Sequence, residues 1–279
     1  YKKKWLKLYS KQKLTQSEKY FFNFNKSNNK IIPLVNIRFN KSNIIVKPFS
    51  LSNLENYDVD RDYPYKDNTS QLSPHLRFGT ISIRKCFNSA FKINQSLVSE
   101  LIWREFFKNI LYNFPYVETS SFKKKYNYIK WNNNTKNFKL WCNGQTGYPI
   151  IDAGMRQLNQ TGYMHNRVRM ITASFLIKHL LIDWKWGERY FASKLLDYDL
   201  SANNGNWQWA SGGGCDAAPY FRIFNPTTQL KKFDSQLKYV KKWVPEILTS
   251  SYPKPIIDHK FARDRCLKEY KKIMNLDVK

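Results

Sequence analysis

Residues 161–209 read TGYMHNRVRMITASFLIKHLLIDWKWGERYFASKLLDYDLSANNGNWQW. Val168, Ile171, Phe175, Leu176 and Leu180 recur in this stretch at helical spacing, which predicts a core helix through its first half. On the leading turn Asn166 and Met170 stand four residues apart on one face, with Arg167 and Arg169 at neighbouring angles. The helix therefore opens with polar groups on a face where apolar ones are expected. After it come Asp197, Tyr198, Asp199 and Asn203, read as a short polar loop that closes on Asn204, Gly205, Trp207 and Trp209. A segment so dense in carboxylates, amides and indoles suits a ligand better than a surface turn. Exposed indoles would lie in water, and buried amides would need partners.

Upstream, ELIWREFFKNILYNF (residues 100–114) carries a buried stripe of Leu101, Ile102, Phe106 and Ile110 and is predicted to be a helix capped by Ser99. Glu100, Trp103 and Arg104 then share its first turn, where a Glu also fits as a plain dipole contact. Before it, YDVDRDYPYKDNTSQLSPHLRFGTIS (residues 57–82) is predicted to be a loop, marked by Pro64 and the cluster Asp67 to Ser70, ahead of a helix starting near Thr80. Thr69, Ser70 and Ser73 offer hydroxyls to a phosphate, or serve as ordinary caps. Residues 147–162, GYPIIDAGMRQLNQTG, predict a helix ended by Gly162. DAAPYFRIFNPTTQ (residues 216–229) holds too many prolines for a helix interior and reads as ordered loop. Basic amphipathic helices are expected near Thr228 to Trp243 and Phe261 to Met274. No β-type alternation appears, so the fold class is mainly α.

Of the 279 residues 42% are hydrophobic, enough for a sizeable core, and 47 Lys and Arg against 21 Asp and Glu leave a formal charge of +26. Such a surplus favours a polyanionic partner, although lysine and asparagine are also what an AT-rich genome writes regardless of function. The aromatic content, 16% with nine Trp, is the sharper anomaly and suits flat ligands or stacked bases as well as core. Cys86, Cys142, Cys215 and Cys266 form no CxxC pair and have no His at zinc-ligand spacing, so they read as free thiols, with no metal site. No apolar run reaches the roughly 18 residues of a membrane span, which predicts a soluble, cytoplasmic protein with no membrane partner. Residues 1–56 are expected to form a basic, Asn- and Lys-rich interdomain segment with a short helix at Trp5, Leu6 and Leu8 and a poorly ordered connector around Lys26 to Lys30. Residues 57–279 are expected to be the helical domain.

The segments TSQLSPHLRFGTIS, ELIWREFF, TGYPIIDAGMRQLNQTGYMHNRVRMITASFL, NNGNWQW and DAAPYFRIFNP, in this order, resemble the FAD-binding half of the photolyase and cryptochrome family. The likeness is nearest to the class I cyclobutane pyrimidine dimer photolyases. It runs from about Tyr57 to Trp243 and implies a helical FAD-binding domain without the family's N-terminal α/β antenna domain. An antenna chromophore such as a folate would need that domain. The resemblance implies a deoxyribodipyrimidine photo-lyase, active with reduced FAD as a monomer on double-stranded DNA that contains pyrimidine dimers.

Carried over residue by residue, the resemblance places Tyr57, Thr69, Ser70, Gln71, Leu72 and Ser73 on the flavin's phosphates and sugar. Arg104, Arg169, Asp197, Tyr198 and Asp199 complete the pocket, with Arg169 paired to Asp197 and Asn203 facing the flavin N5. Glu100, Trp103, Asn166, Met170 and Trp209 line the cavity for the damaged bases, with Glu100, Asn166, Met170 and Asn203 as the catalytic set. Arg61 and Arg167 contact DNA phosphate, and Trp131, Trp184 and Trp207 match an electron relay; each Trp alone would be read as core. Leu97 and Tyr163 stand where the family usually has Trp. Two rivals share the fold: a cryptochrome photoreceptor, against which stand Asn203 and the dimer-cavity set, and a (6-4) photolyase, which would need histidines at 166 and 170. A vestigial basic DNA-binding domain is the alternative from another class.

Overall fold

The computed structural model describes residues 1–9, 22, 30–52, 54–66 and 68–276. It divides into two units, Tyr1–Lys47 and Pro48–Lys279. In the first, helix α1 (Lys2–Tyr9) stacks Trp5 on Tyr9, with ring centroids 5.3 Å apart. A 3-10 turn, Leu34–Ile37, follows. The connector expected around Lys26 to Lys30 lies, apart from Lys30, outside the described residues, as does Asp67 of the predicted loop.

The second unit is helical throughout, with no strand among the described residues. Its helices are α2 (Tyr57–Asp60), α3 (Leu72–Phe78), α4 (Ile83–Phe91), α5 (Gln95–Asn113), α6 (Thr135–Cys142), α7 (Pro149–Thr161) and α8 (Asn166–Ser174). α9 (Trp184–Lys194), α10 (Leu200–Ser211), α11 (Pro226–Phe233), α12 (Lys238–Trp243) and α13 (His259–Met274) complete it. No helix among the described residues is long and apolar enough to cross a membrane.

The predicted core helix is α8, which runs into a π turn, Phe175–His179, and buries Val168, Ile171, Phe175 and Leu176. α7 ends where expected, at Gly162 with φ 66°. Four expectations are corrected. The polar loop after Tyr198 is a helix: Asp199 accepts the N–H of Ala202 and caps α10, so Asn203, Trp207 and Trp209 stand on helix rather than loop. Gly205 is tolerated inside α10 because a Cβ there would lie 2.1 Å from the Phe107 ring, so the glycine lets α5 approach. α5 starts one turn before Ser99, capped by Asn94, whose side chain accepts from Ser96 and Leu97 N–H. Glu100 is therefore past the first turn, and the Ser99 hydroxyl donates back to Gln95 O. Residues 228–243 form two helices, α11 and α12, because Asp234 caps α12 through Tyr239 and Val240 N–H across Leu237 at φ 56°. Finally, the segment ahead of Thr80 is not all loop but holds α3, and α4 begins at Ile83.

α13 closes the back of the unit. His179 Nε2 lies 2.8 Å from His259 Nδ1, Arg265 donates to His179 O at 2.6 Å, and the Tyr270 hydroxyl donates to Ser211 O at 2.9 Å. Buried Lys178 donates to Ser211 O and Tyr220 O, with its ammonium 3.6 Å from the centroid of the Tyr270 ring, and burial pulls its pKa down to about 8. Lys178 and Arg265 thus satisfy carbonyls at the ends of α10 and of the π turn, Ser211 O and His179 O.

Burial, with His259 and Arg265 adding repulsion, pulls the pKa of His179 from 6.5 down to about 3. As pH falls the unfolded chain takes up this proton first, so the contribution is whole above about 6.5 and is lost as pH falls toward about 3. Urea midpoints measured across that window should fall less steeply for His179→Gln than for the native chain; equal slopes would mean that the histidine does not titrate as the packing requires.

Candidate functional site

A cavity of about 500 Å³ lies among α3, α5, α8, α9 and α10 of the helical unit. Its volume is in the range of small-molecule and cofactor sites. The sequence-predicted residues Tyr57, Arg61, Ser70, Leu72, Ser73, Glu100, Trp103, Arg104, Asn166 and Arg169 all line it. So do Met170, Asp197, Tyr198, Asp199, Asn203, Trp207 and Trp209. Segments separated by more than a hundred residues of chain therefore converge on one space.

Each wall has a local cause. On α8 the first-turn residues Asn166, Arg169 and Met170 project inward, and Asn166 Nδ2 lies 3.9 Å from Met170 Sδ. Arg169 reaches across to Asp197 with two bonds, Nη1 to Oδ1 at 3.1 Å and Nη2 to Oδ2 at 2.8 Å, while its Nε donates to Met164 O. The Asp197 carboxylate is only 4% exposed, so the fork is paired away from water. Burial pushes Asp199 up, but the Ser201 hydroxyl and Ala202 N–H outweigh it and hold the carboxyl below its usual range. Burial raises the Tyr57 phenol to about 12, so it stays a hydrogen-bond donor beside Arg61. Arg104 donates to Leu76 O at 3.1 Å, tying α5 to α3. Asn203 Nδ2 donates to Glu188 on α9.

On the open side, Glu100 pairs with Arg61 at 2.8 Å, and Trp103, 38% exposed, stacks on Phe107 with centroids 5.7 Å apart. Arg222 lies over the Trp209 ring at 5.8 Å.

Other predicted residues are placed elsewhere. Thr69 and Gln71 do not line the cavity; Gln71 takes φ 52° at the start of α3 and donates to the Thr69 hydroxyl at 3.1 Å. Arg167 does not line the cavity; it is paired with Asp62 at 2.5 Å and set 4.5 Å from the Phe233 ring. Trp184 is buried in the core behind the cavity, and Trp131 packs half-buried against that core. The indole in ring contact with Trp207 is Trp141, at 6.2 Å, and Phe191 lies between the layers at 5.0 Å from Trp207. Gly187 makes room for this packing, because a Cβ would come within 2.1 Å of Trp207. Arg77, Phe107 and Asn206 also line the cavity without having been foreseen, beside apolar residues such as Leu97, Leu101 and Ala173. Arg77 sits in the LRFG segment beside the predicted hydroxyls, and that was the signal available for it.

The cavity of this all-helical domain sets indoles and amides beside hydroxyls and four arginines, a lining suited to a flat ligand with anionic groups. The family described as the FAD binding domain of DNA photolyase matches residues 97–250. The deoxyribodipyrimidine photo-lyase of Vibrio cholerae is 44% identical over 253 residues, covering 81% of this chain and 54% of that protein. Among solved structures, an archaeal photolyase from Sulfolobus tokodaii with two FAD molecules superposes with a TM-score of 0.76 at 44% identity, covering 80% of this chain and 54% of that one. A cryptochrome from Synechocystis superposes with a TM-score of 0.70 at 32% identity, covering 77% of this chain and 52% of that one. The chain belongs to the photolyase family, as an FAD-binding domain, and spans about half the length of the curated relatives it matches. The donor set fits FAD: hydroxyls and guanidinium groups for a diphosphate, and Asn203 and Trp207 beside a flat ring system.

Replacing Asp197 with Ala would leave the partly buried Arg169 guanidinium without its carboxylate. The expected cost to the protein without cofactor is about 1–3 kcal/mol, read as a lowered urea midpoint; a midpoint within error of the native one would show that solvent replaces the pair.

Proposed function

We propose that this domain repairs cyclobutane pyrimidine dimers in DNA, using light and reduced FAD. The observation that carries the reading is that one cavity joins the FAD-compatible set to an open face lined by Glu100, Trp103, Asn166, Met170 and Trp209. Bound reduced FAD would supply the photoexcited electron that opens the cyclobutane ring and then takes it back, with no net redox change. The residues of the chain do the remainder. A stacked base must be extruded before its atoms can be reached, and a dimer is already poorly stacked. Trp103 and Trp209 would receive the flipped rings, each contributing roughly 1–3 kcal/mol. Glu100, once Arg61 exchanges it for phosphate, would donate its acid O–H to the dimer's carbonyl edge and favour its reduced form. Met170 and Asn166 would shape the floor with an apolar thioether and a neutral amide. Arg61 and Arg167 would reach phosphate by exchanging Glu100 and Asp62 for it.

Tyr57, Ser70, Leu72, Ser73, Arg104, Arg169, Asp197, Tyr198, Asp199 and Asn203 would hold FAD, with Thr69 and Gln71 shaping the approach to α3. Trp207 in the cavity wall would be the first donor of the relay, fed through Trp184 from half-buried Trp131.

Two measurements separate these roles. Trp209→Ala should weaken binding to dimer-containing duplex by roughly 1–3 kcal/mol and leave undamaged duplex nearly unchanged. A native chain that, loaded with reduced FAD and illuminated, restores no thymines and binds both duplexes alike would instead favour a photoreceptor role. Trp207→Phe should nearly abolish photoreduction of oxidised FAD while sparing repair by chemically reduced protein. Loss of both would make Trp207 a packing residue only.

A further inference from the structure

Asn203 is held by more than its place on α10. Its Nδ2 donates to two acceptors on one residue of α9, Glu188 O at 3.0 Å and Glu188 Oε1 at 2.8 Å. A backbone carbonyl can only accept, so this contact settles which end of the amide faces α9: turning the amide over would set its oxygen against a carbonyl and a carboxyl oxygen together. Both amide hydrogens are thereby used. Asn203 also lines the cavity, so the atom left to face it is Oδ1, an acceptor with no donor to offer.

We propose that Glu188 is a positioning residue that locks the Asn203 amide with its oxygen toward the cavity, so that the site selects a flavin carrying a proton on the ring edge that Asn203 meets. This rests on the reading of the cavity as an FAD site. A lone asparagine could serve either protonation state by turning over; the anchor removes that freedom and makes the site prefer the reduced, protonated form. Burial raises the pKa of Glu188, and the bond from Asn203 opposes the rise. Arg189 on the same helix also lowers it, and Glu118 from the turn after α5 raises it, while Tyr198 faces it from the segment before α10. Either form of the carboxyl retains an oxygen that accepts from Nδ2, so the lock survives a change in its charge.

The test is a potentiometric titration of FAD-loaded protein at fixed pH, followed by flavin absorbance. Glu188→Leu removes one of the two acceptors and should cut the preference for reduced over oxidised FAD by roughly threefold to tenfold, the equilibrium worth of one hydrogen bond. Glu188→Gln keeps an acceptor oxygen in the same place while losing the same charge, so it should not fall below the native value. The sign is diagnostic. Losing a negative charge near the ring raises the potential, whereas releasing the amide lowers it, so an unchanged or raised value in Glu188→Leu overturns the proposal. In an Asn203→Ala background, Glu188→Leu should change nothing further; a second drop there would show that Glu188 acts without Asn203 and would also overturn it. If Glu188→Leu fails to fold, Glu188→Ala is read by the same criteria. A native chain that takes up no FAD overturns the FAD reading and this proposal together, whereas a native chain with FAD whose Glu188→Leu variant keeps its potential overturns only the latter.

Discussion

The two-toothed bond between Arg169 and Asp197 fixes the cavity. Arg169 belongs to the first turn of α8, and Asp197 to the short connection that leads into α10. A carboxylate as buried as that of Asp197 is costly without its guanidinium partner, so the pair sets the separation of the two helices that carry Asn166, Met170, Asn203 and Trp207. The remaining contacts adjust around that spacing. Gly187 lets α9 come close behind Trp207, and Gly205 lets α5 come close in front. Asn204 and Gln208, four apart on α10, both bind Val117 O, which holds the turn after α5 against the same helix.

The legible parts of the sequence were those where a periodic apolar pattern met a decisive punctuation. α8 and α7 follow from spacing and from Gly162, which needs a left-handed backbone that other residues resist. The mainly helical class follows from the lack of alternation. α10 was not legible, because LSANNGNWQWAS is poor in strong helix formers and its helix is imposed by packing and by the Asp199 cap. The start of α5 was misplaced by one turn because both Asn94 and Ser99 are cap-forming types, and only the fold shows which side chain reaches backbone N–H groups.

The site was legible in its membership more than in its orientation. Resemblance gathered nearly every polar residue that lines the cavity, yet it could not show that Arg61 and Arg167 already hold carboxylates, or that Asn203 spends both of its hydrogens on Glu188. Such pairings depend on distances of a few ångström between segments remote in sequence, and residue types alone do not encode them. Arg77 and Phe107 escaped notice for the same reason.

The ion pairs sort the cations into two populations. Among the described residues, Arg61–Glu100, Arg156–Glu246, Arg167–Asp62 and Arg169–Asp197 join distant parts of the chain, whereas Lys66–Asp60, Lys185–Asp183, Lys272–Glu269 and the exposed Arg263–Asp264 bind near neighbours. A planar fork can span two helices and keep its direction, while an ammonium on a flexible stem cannot. Mutational pressure that trades arginine codons for lysine codons therefore has unequal consequences in this molecule. On the surface the exchange conserves the field that draws in a polyanion. At these four joints it would conserve the charge and lose the carpentry.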